Sequence, residues 1–139
     1  MNRRTFLHSS AAAGALATFT IKTSGQEKTV RRQRTALVGC GWGGGNILGE
    51  AIASGQCEVV GLCDVDERQI TATKEKISKL TGDQPRTYRD YRDLLAKEKP
   101  EIVIVATPDH WHALPTIAAV KAGAHVYVEK PIAHTIAEG

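Results

Sequence analysis

The chain has 139 residues, with 18 Lys or Arg against 15 Asp or Glu, and a formal net charge of +3. Three of the basic residues and none of the acidic ones lie in the first 26 positions, so the remaining chain is formally neutral. The charge therefore does not indicate a protein that binds nucleic acid or anionic lipid. The length after a leader allows one modest domain of about 110 residues.

The start of the chain is typical of an export leader, predicted at residues 1–26. Arg3 and Arg4 precede Phe6, Leu7 and a weakly apolar run that is too short to span a bilayer. This order resembles the bacterial twin-arginine signal, with an ordinary secretory signal or a chance basic start as the alternatives. The twin-arginine route carries folded proteins, so we expect a periplasmic protein that meets the membrane only during export.

A linker is predicted at residues 27–34, where Arg31, Arg32 and Arg34 form a short basic run that we interpret as solvated. Beyond it, strand-like and helix-like runs alternate. Strands are predicted at TALVG, EVVGLCD, near Thr87, EIVIVA and HVYVEK, and helices at NILGEAIAS, ERQITATKEKISKL, YRDLLAKEK and LPTIAAVKAG. This alternation predicts a doubly wound α/β domain with a parallel sheet over residues 35–139.

Two details of this pattern can be checked against a structure. In the second predicted helix, Ile70, Ile77 and Leu80 fall on one apolar stripe. A further helix is expected near Thr135, and no terminal cap follows before Gly139, so we expect the domain to be incomplete.

Gly39, Gly41 and Gly44 form a G-x-G-x-x-G motif between the first predicted strand and the first helix. In that context the first glycine allows a tight turn, the second lets backbone approach a pyrophosphate, and the third lets helix and strand pack closely. The helix N-terminus adds unpaired N–H groups that attract phosphate. The motif therefore predicts a dinucleotide site.

Asp64 ends the second predicted strand, 20 positions after the last motif glycine. An acid there can accept hydrogen bonds from the adenosine ribose and repel a 2′-phosphate, which favours NAD over NADP. Arg68 follows soon after and is able to turn towards a phosphate instead. The structural alternative for Asp64 is a cap for the second helix.

The segment ATPDHWHA, residues 106–113, follows the fourth predicted strand and is bracketed by Pro108 and Pro115. His112 either contacts a cofactor or substrate or is a hydrogen-bonded loop histidine. Trp111 either packs against other side chains or forms one wall of a ligand site. His110 and His112 lack a third ligand, so no metal is expected. Three cysteines without metal-ligand spacing are expected to be buried thiols rather than a disulfide.

Lys130 lies in the sequence Glu-Lys-Pro at the end of the fifth predicted strand. A lysine at this place carries its charge to the carboxyl edge of the sheet, where it can donate hydrogen bonds or transfer protons. The alternative is a solvated lysine.

Together VGCGWGG, CDVD, ATPDHWHA and AGAHVYVEKP resemble the N-terminal domain of the Gfo/Idh/MocA oxidoreductases, relatives of glucose–fructose oxidoreductase and inositol dehydrogenase. The resemblance runs from about Thr35 to Pro131. It implies that Lys130 is catalytic and touches nicotinamide and substrate. It implies cofactor contacts from Gly39, Gly41, Trp42, Gly43, Gly44, Asp64, Thr107, Pro108, His112, Glu129 and Lys130.

The resemblance also implies an exported NAD-dependent enzyme that transfers a hydride to or from a hydroxyl carbon of a sugar, polyol or glycoside. Family members continue into a second α/β domain, which supplies the proton acceptor and often mediates homo-oligomer formation. No segment here corresponds to it, so we expect this chain alone to be inactive. A non-catalytic nucleotide-binding module and an inactive truncated product are the alternatives.

Overall fold

The computed structural model describes residues 31–139, and the predicted leader and the first half of the predicted linker lie outside the described residues. Five strands form one parallel sheet in the order β3-β2-β1-β4-β5. The strands are β1 Gln33–Val38, β2 Cys57–Cys63, β3 Arg86–Tyr88, β4 Ile102–Val105 and β5 His125–Val128. The helices are α1 Trp42–Ala53, α2 Glu67–Thr81, α3 Tyr91–Glu98 and α4 Ala113–Lys121, and a 3₁₀ turn covers Asp109–Trp111. The doubly wound α/β prediction is confirmed.

Each face of the sheet is covered by a separate apolar cluster. On one face, α1 and α2 cover the sheet through Leu48, Ile70 and Ile77. On the other face, α3 and α4 do so through Leu94, Leu95 and Ala119. The central strands β1 and β4 are buried on both faces, which explains their continuous apolar runs.

Several local signals in the sequence act as predicted. Pro115 lies in the first turn of α4, where its missing N–H costs no helical bond. Gly123 follows that helix with a φ of +85°, a conformation that few other residues adopt easily. Among the described residues, no helix is long and apolar enough to cross a membrane.

Two local predictions were wrong. The buried stripe of α2 consists of Ile70, Thr73 and Ile77, whereas Leu80 is 61% exposed. Leu80 lies in the last turn of α2, which ends at Thr81, so the buried stripe stops before the end of the helix. No helix begins near Thr135 in the described part of the chain. Instead, Glu138 N–H donates to Thr135 O at 3.2 Å, and the Glu138 carboxylate accepts the N–H groups of His134 and Thr135. One turn held by its own side chain has too few hydrogen bonds to nucleate a helix.

The basic run is only partly solvated, and Arg34 already lies within β1. The Arg31 side chain is 72% exposed, whereas those of Arg32 and Arg34 are 38% and 37% exposed. Arg31 pairs with Glu101, and Arg32 and Arg34 pair with Asp83 and Glu98. These pairs form because the amino ends of the strands meet at one edge, where the acids of other segments lie.

Candidate functional site

The four segments with predicted function all leave the carboxyl edge of the sheet. Each is held in register by a backbone hydrogen bond just beyond its strand. Gly39 N–H donates to Cys63 O at 2.8 Å, and Ala106 N–H donates to Val38 O at 2.8 Å. Asp64 N–H donates to Tyr88 O at 3.2 Å, and Glu129 N–H donates to Val105 O at 2.9 Å. Ligands of open α/β sheets bind at this edge.

The glycine turn between β1 and α1 is fixed by close backbone packing. Gly39 has a φ of +96°, and a Cβ there would lie 2.5 Å from the carbonyl atoms of Ala106. A Cβ on Gly44 would lie 1.9 Å from Gly39 O. Both positions therefore require glycine.

The outer side of the same turn is open. A Cβ on Gly41 or Gly43 would meet no atom within 4 Å. Trp42, the first residue of α1, is 86% exposed. The first N–H groups of α1 have no acceptor within the helix, because the carbonyl groups four residues earlier precede the helix. The first bond of this kind runs from Gly45 N–H to Gly41 O. A phosphate has both space and hydrogen-bond donors at this place.

Asp64 is tied to the glycine turn. Its Oδ2 accepts from Cys40 N–H at 2.7 Å, and its Oδ1 accepts from Asp66 N–H at 2.9 Å. The cap of α2 is Asp66, whose side chain accepts from Arg68 N–H. The alternative of Asp64 as a helix cap is therefore wrong, and its half-buried carboxylate is held beside the turn.

An open cleft of about 890 Å³ connects the glycine turn to the loop after β4. Its lining includes Gly39, Gly41, Asp64, Thr107 and Pro108 of the predicted site. It also includes Val65, Tyr91, Arg92, Trp111 and Leu114, of which the sequence indicates only Trp111 as a candidate wall of a ligand site. These residues come from loops that are separate in the sequence, and the fold brings them together at one edge of the sheet.

One polar atom of this cleft has no partner among residues 31–139. The Thr107 hydroxyl oxygen is inaccessible to solvent and makes no hydrogen bond there. Buried hydroxyl groups in proteins are normally hydrogen-bonded, so an unpaired one in a cleft fits a ligand-binding role. The open backbone turn at Gly41, the Asp64 carboxylate and the Thr107 hydroxyl together fit a dinucleotide.

His112 is 2% exposed and lies under the loops rather than at the surface. Its Nε2 is 2.7 Å from Thr107 O, and its Nδ1 is 2.6 Å from Pro131 O. The ring therefore joins the loop after β4 to the segment after β5. Direct contact of His112 with a cofactor stays a prediction.

The Glu129-Lys130-Pro131 segment lies at the surface, with Glu129 half-buried and Lys130 and Pro131 exposed. Lys130 is exposed, and its N–H donates to Glu129 Oε1 at 3.1 Å. The cleft described above does not include Glu129 or Lys130. His112 nevertheless connects this segment, through Thr107, to the wall of that cleft.

The three cysteines are free and buried, as predicted. Burial, assisted by the charge of Asp64, raises the pKa values of Cys40 and Cys63 to about 12. Such thiols are protonated at neutral pH and therefore poorly reactive. Among residues 31–139, no three His, Cys, Asp or Glu side chains are arranged to hold a metal ion.

Comparison with known proteins agrees with this geometry. Residues 33–139 match the model of an oxidoreductase family, Gfo/Idh/MocA, described as its NAD-binding Rossmann fold. The chain belongs to the Gfo/Idh/MocA oxidoreductase family. Residues 1–20 match the twin-arginine translocation signal sequence, so the chain carries a signal for export to the periplasm.

Curated relatives of this Gfo/Idh/MocA chain include two glycosyl hydrolase family 109 proteins. "Glycosyl hydrolase family 109 protein 1" of Akkermansia muciniphila is 34% identical over 76% of this chain and 23% of its own length. The protein of the same family from Stenotrophomonas maltophilia is 33% identical over 93% of this chain and 29% of its own length. The chain thus spans about a quarter of these relatives.

Solved structures give the same fold. The WlbA dehydrogenase of Chromobacterium violaceum, in complex with NADH and UDP-GlcNAcA, has a TM-score of 0.64 at 33% identity over 79% of this chain and 30% of its own. GenD2 from gentamicin A biosynthesis, in complex with NAD, has a TM-score of 0.69 at 28% identity over 78% of this chain and 30% of its own.

Proposed function

We propose that the protein is an NAD(H)-dependent oxidoreductase that acts on a hydroxyl-bearing carbon of a sugar or glycoside, and that residues 31–139 form its cofactor-binding half. One observation carries the proposal. The glycine turn, Asp64 and the Thr107 loop surround one cleft at the carboxyl edge of the sheet. NAD, when bound, would supply the hydride acceptor or donor.

Different parts of the carboxyl edge would bind different parts of the cofactor. Gly39, Gly41 and Gly44 shape the turn, and the N-terminus of α1, including Trp42 and Gly43, would face the pyrophosphate. Asp64 would accept hydrogen bonds from the adenosine ribose, because Cys40 N–H and Asp66 N–H hold its carboxylate in place. Since that carboxylate repels a 2′-phosphate, we propose that NAD(H) is preferred to NADP(H).

The reacting side would lie over β4 and β5. Thr107, Pro108 and Glu129 would border the nicotinamide, and His112 would hold the two loops together beneath it. Lys130 would point its ammonium group at the substrate hydroxyl and stabilise the alkoxide as the hydride leaves. We propose that the proton acceptor lies elsewhere in the complete protein, since hydride transfer also needs a base.

The names of the relatives favour a glycoside as the substrate, since the two curated relatives reported above are named glycosyl hydrolases. Glycoside hydrolysis consumes no oxidant overall, so an NAD-dependent hydrolase must return its hydride to the sugar within one turnover. A cofactor that stays bound during export in the folded state would suit such a cycle. Oxidation of a free sugar to a ketone or lactone is the second possibility.

The experiment uses the whole protein as encoded, loaded with NAD⁺, and a panel of aryl glycosides and free sugars. Release of the aryl alcohol without NADH accumulation would support the glycoside cycle, and NADH accumulation with free sugars would support a dehydrogenase. NAD⁺ binding with neither product would overturn the enzymatic proposal and favour a nucleotide-binding module.

The role of Lys130 is tested in the same protein with Lys130→Met. Single-turnover hydride transfer should fall about 100-fold or more, because a positioned donor to a developing oxyanion is lost. NAD⁺ affinity should stay within about twofold, because the pyrophosphate and ribose contacts remain. Lys121→Met, at the end of α4 and outside the site, is the matched control. Equal rates in both variants would make Lys130 a solvated residue.

A further inference from the structure

The sequence Asp-x-Arg occurs at the N-termini of two consecutive helices and adopts one arrangement in both. Asp66 caps α2 and pairs with Arg68, with Nη2 2.9 Å from Oδ2. Asp90 caps α3 and pairs with Arg92, with Nη2 2.8 Å from Oδ2 and Nε 2.9 Å from Oδ1. In each case one carboxylate accepts from a backbone N–H and also binds the guanidinium two residues later.

The two pairs differ in position. Asp90 and Arg92 line the cleft together with Asp64, whereas Asp66 and Arg68 do not. Arg89 also lines this end of the cleft, and it has no ion pair among residues 31–139. The cleft therefore carries two guanidinium groups and two carboxylates at the end where Asp64 stands.

A guanidinium group is well suited to a phosphate, because its planar fork donates two parallel hydrogen bonds. Arg92 does not present a free fork, because Asp90 occupies its Nε and Nη2. The side chain is further held by the Tyr91 ring, whose centroid lies 5.5 Å from the guanidinium carbon. The mutual attraction lowers the pKa of Asp90, so this carboxylate is ionised at neutral pH.

We propose that Asp90 is a second residue that selects NAD(H) against NADP(H), by occupying Arg92 and adding a negative charge to the ribose end of the cleft. A 2′-phosphate there would meet two carboxylates and a guanidinium that is already paired, which leaves Arg89 as the guanidinium available to bind it. The inference rests on the proposed NAD function. It adds Asp90 as a specificity residue besides Asp64, the acid at the end of β2. Its effect is modest, because the Asp90–Arg92 pair is exposed and screened by water.

The test measures NAD⁺ and NADP⁺ affinities of the full chain by calorimetry at low ionic strength, for the wild type and Asp90→Asn. Asparagine keeps an oxygen for the cap and removes the charge. NADP⁺ affinity should rise about 3- to 10-fold, and NAD⁺ affinity should change less than about twofold. The gain should shrink in salt, because charges at the surface are screened.

Asp93→Asn is the matched control, since it removes an exposed acid of the same helix that pairs with Lys97 outside the cleft, and it should leave the NADP⁺/NAD⁺ affinity ratio unchanged. Asp90→Asn combined with Arg92→Gln should lose the gain, because the guanidinium that binds the phosphate is gone. An unchanged ratio in Asp90→Asn, or an equal rise in Asp93→Asn, would overturn the inference alone. A wild-type chain that binds neither nucleotide would overturn the proposed function and this inference with it.

Discussion

The two edges of the sheet differ in what some of their polar side chains contact. At the amino edge, Glu98 is buried and held by Arg34, Arg86 and the Tyr88 hydroxyl group. At the carboxyl edge, Lys130 is exposed and the Thr107 hydroxyl has no partner among the described residues. Charges that are paired within the fold hold strands together, whereas unpaired polar groups at an open edge remain available to a ligand. Changes at the two edges should therefore separate stability from nucleotide binding, with the glycine turn as the place where both coincide.

The largest effect is expected where binding and folding share one backbone contact. Gly44→Ala forces a methyl group into Gly39 O, so it should cost about 3 kcal/mol or more and abolish NAD⁺ binding. Gly43→Ala, one residue earlier in the helix, meets no atom and should stabilise the fold by about 0.5–1 kcal/mol. Urea unfolding of both variants measures the contrast, and equal stabilities would contradict the close-packed turn.

Glu98→Ala tests whether the amino edge contributes to stability without affecting NAD⁺ binding. It removes a buried acceptor of the Tyr88 hydroxyl group and of two arginines, and should cost about 2 kcal/mol. Because the site lies at the other edge, NAD⁺ affinity of the folded variant should stay within about twofold. Asp93→Ala, which removes an exposed acid from the same helix, is the control and should change stability by less than about 0.5 kcal/mol. A large loss of NAD⁺ affinity in Glu98→Ala would show that the two edges are coupled.

Asp83, at the amino edge, makes the free energy of unfolding depend on pH. Burial works against ionisation, but hydrogen bonds from Arg32 and from Val59 N–H outweigh it and lower the pKa of Asp83. A folded pKa below the unfolded value of about 3.9 stabilises the fold above that pH. This stabilisation is lost as the pH falls through the lower, folded pKa.

Asp83→Asn should therefore destabilise the fold by about 1 kcal/mol at pH 7, and the difference from the wild type should shrink as the pH falls below about 4. Urea unfolding of both proteins from neutral to acidic pH measures it. A difference that is constant over this range would mean that the charge of Asp83 contributes nothing.

The smallest effect is expected at the most exposed ion pair of the amino edge. Arg31→Ala removes a contact to Glu101 at a side chain that is 72% exposed, and should change the free energy of unfolding by about 0.5 kcal/mol or less. Thermal unfolding with and without added salt is a sufficient measurement. A larger loss would show that Arg31 holds the start of β1 in place.

Much of the site followed from local sequence patterns. The strand–turn–helix order around Gly39, Gly41 and Gly44, and the strand that ends at Asp64, are set by apolar periodicity and glycine spacing over short stretches. The parallel sheet follows from the alternation of strands and helices, because a parallel neighbour needs a crossover. The resemblance to one oxidoreductase family extended these patterns to the loops that contain His112 and Lys130.

Tertiary structure alone decided which side chains pair. No local pattern places Arg32 on Asp83, Tyr88 on Glu98 or the His112 ring between Thr107 O and Pro131 O, since each pair joins separate segments of the chain. The same holds for the Asp-x-Arg pairs, which look alike in sequence although only Asp90 and Arg92 line the cleft. Local sequence sets backbone geometry over a few residues, whereas contacts between segments depend on how strands and helices pack together, and that packing is a property of the whole domain.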